Sequence, residues 1–424
     1  MEKLGVPTVY LTTSQFLEDA RFSAEDNGVP KLRIIGLPAD KFYSERITKE
    51  RAKPVAEAAL ESMIEMLVRP ITEEEKKPKL QDTYSGVIKV KGDDTLSAVE
   101  NLNQLFIDNQ WADGLPILPP TPERVQWMLT GTSRSPEEVI GTISPRNGKA
   151  TVEKIAINAV MAGAKPEYLP VIITAIEGLA DERFDELHFL TSTGSFNLVI
   201  TISGPIVKEI GMNSGLGLWS YGNRANSTIG RAVRLAMINI GHLWPGVNDM
   251  ALVGRASPHT FLVIAENQEF SPWESYHVSQ GFKSEDSCVT LDVVGGYSPG
   301  GRLSFYGGGA VALVTPEAIL ESVVERWTES GRPQRNILIL NPEIARELHS
   351  RLGYTRESLQ SYLEEKTKVT PENSHIIVAG GIPGYTISLS GYQKGIYKPL
   401  AHLTKMITGA ALTNAGTTLS SAVR

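Results

Sequence analysis

The sequence predicts an α/β protein in which an incomplete N-terminal parallel α/β layer precedes a larger mixed α+β domain. Three observations carry that prediction. Residues 1–71 follow a strand–helix–strand–helix order, the grammar of a parallel layer. From Asn197 onward short apolar strand runs dominate, and one clear amphipathic helix, within Tyr221–Gly241, interrupts them. The length of 424 residues, with 41% hydrophobic and 21% charged, is that of an ordinary globular chain holding two or three domains.

The elements follow in order. Val6–Leu11 is the first strand signal, Gln15–Phe22 a short helix and Leu32–Leu37 a second apolar run. Pro54 suits the first turn of a helix reaching Val68, with Val55, Ala59, Met63, Ile64 and Leu67 facing inward. Two strands rarely stand alone, so this layer reads as half of a domain whose other strands come from elsewhere. Residues 72–84, charged and poorly periodic, read as a linker. The larger domain, 85–406, opens with a short strand at Val87–Val90 and a helix at Leu96–Trp111. Thr121-Pro122-Glu123 supplies a cap, a proline and an acid at the start of the next helix. Thr151–Gly163 and Pro166–Ala180 form a helical hairpin closed by Gly163 and reopened by Pro166. Strands are expected at Asn197–Ser203, Ala251–Gly254, Thr260–Ala265, Cys288–Val294, Ala310–Val314, Ile337–Leu340 and Ile376–Ala379. Helices open at Thr315-Pro316-Glu317, Asn341-Pro342-Glu343 and Thr355. Residues 407–424, rich in Ala, Thr, Ser and Gly, read as a mobile tail.

Composition excludes several functions. Forty-one Lys and Arg against 48 Asp and Glu give a net charge of -7 without a long basic run, so neither nucleic acid nor an anionic membrane surface is an expected partner. No apolar run approaches the ~20 residues of a membrane span. The N-terminus lacks secretory-signal features, which points to a cytoplasmic protein. The lone Cys288 lies in an alternating strand pattern and reads as a core residue. Seven histidines show no HxH or HExxH spacing, so no metal site is assigned, and the sequence names no cofactor.

The richest functional signal is the glycine-rich loop GMNSGLG (211–217) running into the central helix. Asn226, Ser227 and Thr228 can cap that helix, with Arg224 before its first turn and Arg231 one turn in. A helix N-terminus flanked by two guanidiniums suits an anion, and the same arginines also suit ordinary salt bridges. Asn213, Ser214, Arg224, Asn226, Ser227 and Arg231 are the expected substrate-binding residues. His242 follows the helix, and His277 sits in an aromatic cluster with Trp273, Glu274 and Tyr276; with Glu266 they are the candidate acid–base residues. The glycine clusters at 295–301 and 307–309 match no phosphate-binding fingerprint.

Two sets of segments carry a family resemblance. GVPTVYLTTSQF, GVPKLRIIGLP and the helix leading to RPITEEE resemble the second half of the domain of UGSC-type (seleno)proteins, relatives of the substrate-specific B component of glycine reductase. DGLPILPPTPERV, ATVEKIAINAVMAGAKPEYLPV, GNRANSTIGRAVRL, ILILNPEIAREL and IIVAGG resemble regions found beside that domain. In the family a UGSC or CGSC motif precedes the strand matching GVPTVYL. This sequence contains no such motif, so no catalytic residue carries over. The resemblance implies thiol or selenol chemistry, with the reactive Cys or Sec on a second subunit that completes the layer. The leading expectation is therefore an enzyme subunit of a hetero-oligomer, an oxidoreductase or lyase acting on a small anionic substrate. The alternatives are a cofactor-independent lyase or hydratase using His242, His277 and Glu266, and a non-catalytic scaffold or binding subunit.

Overall fold

The computed structural model describes residues 4–38, 47–76, 86–184, 186–255, 257–295, 302–306, 315–329, 336–382, 386–390 and 403–408. The protein is mixed α/β, with its strands gathered in several small sheets.

The N-terminal layer is two parallel strands, β1 (Val9–Thr13) and β2 (Arg33–Leu37), with helices Leu17–Asp26 and Lys49–Val68. The second helix begins at Lys49, so Pro54 lies inside it rather than in its first turn. Val55 and Ala59 are buried as expected, whereas Ile64 and Leu67 are exposed, because no element among the described residues covers them. Arg33, at the head of β2, ties the layer together. It donates to Glu75 through Nε (2.9 Å) and Nη2 (3.0 Å), and to the carbonyls of Met66, Arg69 and Pro70 at the end of the long helix. The start of the expected linker is thus pinned: residues 73–76 form a turn, and Glu75 also accepts from the Thr72 amide.

Val87–Val90, expected as a strand, is irregular. Helix Thr95–Asp108 is closed by an Asp94–Ser97 capping box, and helix Pro122–Leu129 by Thr121. A hairpin of β3 (Val139–Ile143) and β4 (Gly148–Thr151) follows, turned at Asn147 in the left-handed region. Thr151 caps helix Val152–Ala162, and Gly163 ends it at φ 81°. Pro166 opens a 3-10 turn that leads into helix Leu169–Leu179.

Two four-stranded sheets form the centre. β5 (Asn197–Ser203), β6 (Leu262–Ala265), β7 (Cys288–Val294) and, returning near the end of the chain, β12 (Leu403–Met406) align in the order β12-β7-β5-β6. β8 (Arg302–Tyr306), β9 (Asn336–Leu340), β10 (Ser374–Val378) and β11 (Thr386–Ser390) align as β10-β9-β11-β8. Ala251–Gly254, expected as a strand, is a turn with Leu252 and Val253 exposed, since among the described residues no strand pairs with it. The expected strand Ala310–Val314, the glycine clusters at 296–301 and 307–309, and residues 409–424 lie outside the described residues.

Strand alternation sorts the layers. Leu198, Ile200 and Ile202 of β5 and Val289, Leu291 and Val293 of β7 belong to the main core with the flanking helices, and Gly178 of one helix meets Leu291 directly. The opposite face carries Thr201, Ser203, Cys288, Thr290 and Asp292, all buried. Against it stands the second sheet: Ile337, Ile339, Ile377 and Leu389 join the main core, and His375 Nε2 lies 3.6 Å from Asp292. The outer face of that sheet, with Leu338, Leu340, Ile376 and Val378, packs on helices Pro316–Glu329, Pro342–Ser350 and Arg356–Thr367. The order is helices, sheet, sheet, helices.

The Arg33 clamp makes a pH prediction. The Arg33 hydrogen bonds, with the Thr72 amide, hold the Glu75 carboxyl down to about 2 against an ordinary 4.5. A lowered carboxyl stabilises fully above its unfolded pKa and loses that stabilisation as pH falls towards 2. Hydrogen-exchange protection of β1 and β2 should decline between pH 4.5 and 2, and Glu75→Gln should remove that pH-dependent part.

Candidate functional site

The central helix spans Arg224–Asn239, and its cap is Asn223, whose Oδ1 accepts the Asn226 amide at 3.0 Å. The helix thus begins before the residues expected to cap it, and Arg224 is its first residue. The glycine-rich loop is fastened onto it. Asn223 Nδ2 donates to the Gly211 carbonyl, and Asn226 pairs reciprocally with the Asn213 backbone at 2.9 and 2.8 Å. Within the loop, Asn213 Oδ1 accepts the Gly215 amide, Ser214 O accepts the Gly380 amide, and Trp219 Nε1 reaches the Val263 carbonyl at 3.1 Å.

Between this loop, the first turn of the helix and the segment before β6 lies a pocket of about 250 Å³. Trp219, Ser220, Asn226, Ser227, Ser257, Thr260 and Phe261 line it, and among the described residues no acid contributes. Of the expected substrate-binding residues, Asn226 and Ser227 line the pocket and Asn213 and Ser214 hold its loop. Arg224 and Arg231 do not reach it. Arg224 Nε donates to the Gly163 carbonyl at 2.8 Å. Arg231 forms a two-pronged pair with buried Asp113, both contacts at 2.8 Å, and also caps the Leu115 and Pro116 carbonyls. Burial alone would raise the Asp113 carboxyl, but the Arg231 hydrogen bonds and charge leave it below its ordinary value.

A guanidinium that the sequence does not single out stands against two of the pocket's walls. Arg234 lies seven residues after Ser227, on the same helix face, and is 5% exposed. Its guanidinium stacks 3.7 Å from the centre of the Phe261 ring, and Nη2 is 3.5 Å from the Ser257 carbonyl. Its only signal in the sequence is a charge inside an apolar run, AVRLAM. Burial, with the like charge of Arg255, pulls its pKa down to about 9, which leaves it charged at neutral pH. Burying an unpaired charge costs several kcal/mol, and an aromatic face returns about 2 kcal/mol.

The candidate acid–base residues are held differently. Glu266, 1% exposed, accepts the Tyr276 amide at 2.8 and 2.9 Å, the Ser275 hydroxyl at 2.7 Å and Arg356 Nη2 at 3.2 Å. Both of its oxygens are thus held by protein donors. His277 is fully buried beside it, with Nε2 2.9 Å from the Lys283 carbonyl. His242 lies beyond the far end of the central helix, exposed and in the left-handed region, about 20 Å along the helix from the pocket. Cys288 is buried, and burial pushes its thiol up to about 12, far from a reactive thiolate. Among the described residues no group of three or more His, Cys, Asp or Glu could hold a metal ion, and no helix is long and apolar enough to cross a membrane.

Two substitutions probe this frame by urea unfolding. A methyl group at Gly230 would overlap the Thr260 carbonyl oxygen. The helix-propensity gain of Gly230→Ala, ~1 kcal/mol, should be outweighed by overpacking of ~1–3 kcal/mol or more, so the variant should be less stable. Asp113→Asn leaves Arg231 without its carboxylate and should cost ~3 kcal/mol, well above the ~1 kcal/mol of the single hydrogen bond lost in Arg224→Ala.

Comparison with known proteins adds one finding. No curated protein matches the chain. The family model of the UGSC family matches residues 1–69, which cover β1, β2 and their helices and stop before the pocket. The chain therefore carries a UGSC-family segment at its N-terminal end, over residues 1–69.

Proposed function

We propose that this chain is an enzyme subunit of a hetero-oligomer, acting on a small anionic substrate held in the pocket beneath the glycine-rich loop, with thiol-based redox or carbon–heteroatom bond chemistry. In this reading the reactive Cys or Sec resides on a second subunit docked on the UGSC-type segment. The observation that carries the reading is the half-built N-terminal layer. Two parallel strands are covered by helices that leave Tyr10, Leu11, Leu60 and Ile64 exposed. Parallel strands are ordinarily buried on both faces, and a contiguous apolar surface on a folded layer marks an interaction site. The buried, high-pKa Cys288 supports placing the reactive group elsewhere. The engagement of Glu266 by Arg356 and the Tyr276 amide favours this reading over an acid–base lyase built on Glu266 and His277.

The test is co-expression with a short polypeptide that carries a CxxC or UxxC motif ahead of a strand, followed by native mass spectrometry. A stoichiometric hetero-oligomer is expected. Ile64→Asp, at an exposed position, should abolish it without lowering the melting temperature of the free chain. A wild-type chain that stays alone, or an Ile64→Asp variant that assembles as well as wild type, sinks the reading.

A further inference from the structure

We propose that Arg234, set directly behind two walls of the pocket, supplies the positive charge that holds an anion there, and that the pocket takes a small oxyanion, the carboxylate or phosphate group of the substrate. The inference rests on the reading that the chain binds a small anionic substrate, and it assigns that anion to a residue other than the two arginines nearest the helix start.

The first argument is charge pairing. Among the described residues, buried Arg234 and Arg255, half-buried Arg231 and the carboxylates of Asp113 and Asp249 stand around the central helix. Arg231 takes both oxygens of Asp113, at 2.8 and 2.8 Å. Arg255 takes both oxygens of Asp249, at 3.1 and 2.7 Å, and fills its remaining donors with the Phe189, Leu190 and Phe196 carbonyls. Both carboxylates are thereby used, and among the described residues none forms an ion pair with Arg234. Its Nε has no hydrogen-bond partner. A guanidinium is always charged near neutral pH and carries five donors, so a buried one without a carboxylate and with an unmet Nε is a standing deficit. The Phe261 ring meets one face of the plane, and the Ser257 carbonyl takes Nη2 only at 3.5 Å.

The second argument is position. The two residues that Arg234 touches, Phe261 and Ser257, are both pocket walls. Ser227, two turns earlier on the same helix face, is another, and the first turn of a 16-residue helix stands beside it. The positive end of that helix stands at the cavity and the Arg234 guanidinium directly behind its Phe261 and Ser257 walls, and among the described residues the lining holds hydroxyls and no acid. A carboxylate or phosphate accepts from several hydroxyls at once while its charge is balanced by the guanidinium behind the wall, which a halide cannot do with comparable geometry.

The full-length chain should be titrated with inorganic phosphate, and separately with succinate, against sodium chloride at matched ionic strength, following the melting temperature. A saturable rise with phosphate or succinate, absent with chloride, is expected. Arg234→Met should abolish the rise or weaken it at least tenfold in midpoint concentration, while Arg224→Ala should leave it unchanged. Should Arg234→Met fail to fold, Ser227→Asp supplies the test: a carboxylate built into the lining should occupy the site and remove the phosphate response. Equal responses to phosphate and chloride in the wild type, or an undiminished response in Arg234→Met or Ser227→Asp, overturn the inference. A chain that forms the thiol-bearing complex but shows no anion-specific rise overturns this inference alone. A chain that shows the rise but forms no complex overturns the function proposed above and leaves the anion site standing.

Discussion

The closest approach in the molecule that matters for the site is that of the central helix to the Thr260 carbonyl, made possible by Gly230. A second such contact holds its C-terminal end, where Gly148 of the hairpin meets the Ile240 carbonyl. Backbone can come this near to a helix only where there is no Cβ. With its middle and its C-terminal end gripped, the helix becomes a fixed ruler. Its first turn anchors the glycine-rich loop through Asn223 and Asn226. Its middle presents Arg231 to Asp113, and its flank sets Arg234 on Phe261 behind the pocket. The pocket is the gap left between a loop and a segment that are both fastened to one rigid element.

Electrostatics then divides the arginines by task. An exposed arginine near a helix start is worth little to the fold, and Arg224 makes one hydrogen bond to the end of a neighbouring helix. Arg231 is a strut: it fixes the DGLP turn against the helix through a buried, two-pronged pair. Arg234 is costly to bury and unpaired. Folded proteins retain such groups where packing is sacrificed to a binding task, and perturbed charges gather at functional sites for that reason. Elsewhere the same burial is balanced, as with Glu266, whose two oxygens are filled by Arg356, a hydroxyl and an amide.

The N-terminal layer obeys a different constraint. Its internal order is secured locally, by Arg33 reaching across to Glu75 and three carbonyls. Neither of the two apolar clusters includes any of its residues. A two-stranded parallel unit buries little apolar surface by itself, and here Tyr10, Leu11, Leu60 and Ile64 stay exposed. The UGSC match covers this unit and no more of the chain.

By itself the sequence determined the fold class, the strand–helix–strand–helix opening, the central helix and most of the elements. These depend on periodicity, caps and proline or glycine stops within a few residues of each other, as at Thr121, Thr151, Gly163 and Asn341. It also marked the loop and the helix start where the pocket lies, with Asn226 and Ser227 on its wall. What it could not decide was partnership across long separations. Arg231 and Asp113 are 118 residues apart, and nothing local distinguishes an arginine that meets a carboxylate from one that meets a ligand. Among the described residues, Ala251–Gly254 has a strand's composition but no strand paired with it, and Ile64 has a core residue's spacing but stays exposed. Arg234 became a site residue only when Phe261 and Ser257 were brought beside it while Asp113 and Asp249 were taken by others. Periodicity is a property of neighbours in the chain, whereas charge neutralisation is a property of neighbours in space, and only the tertiary structure supplies the second.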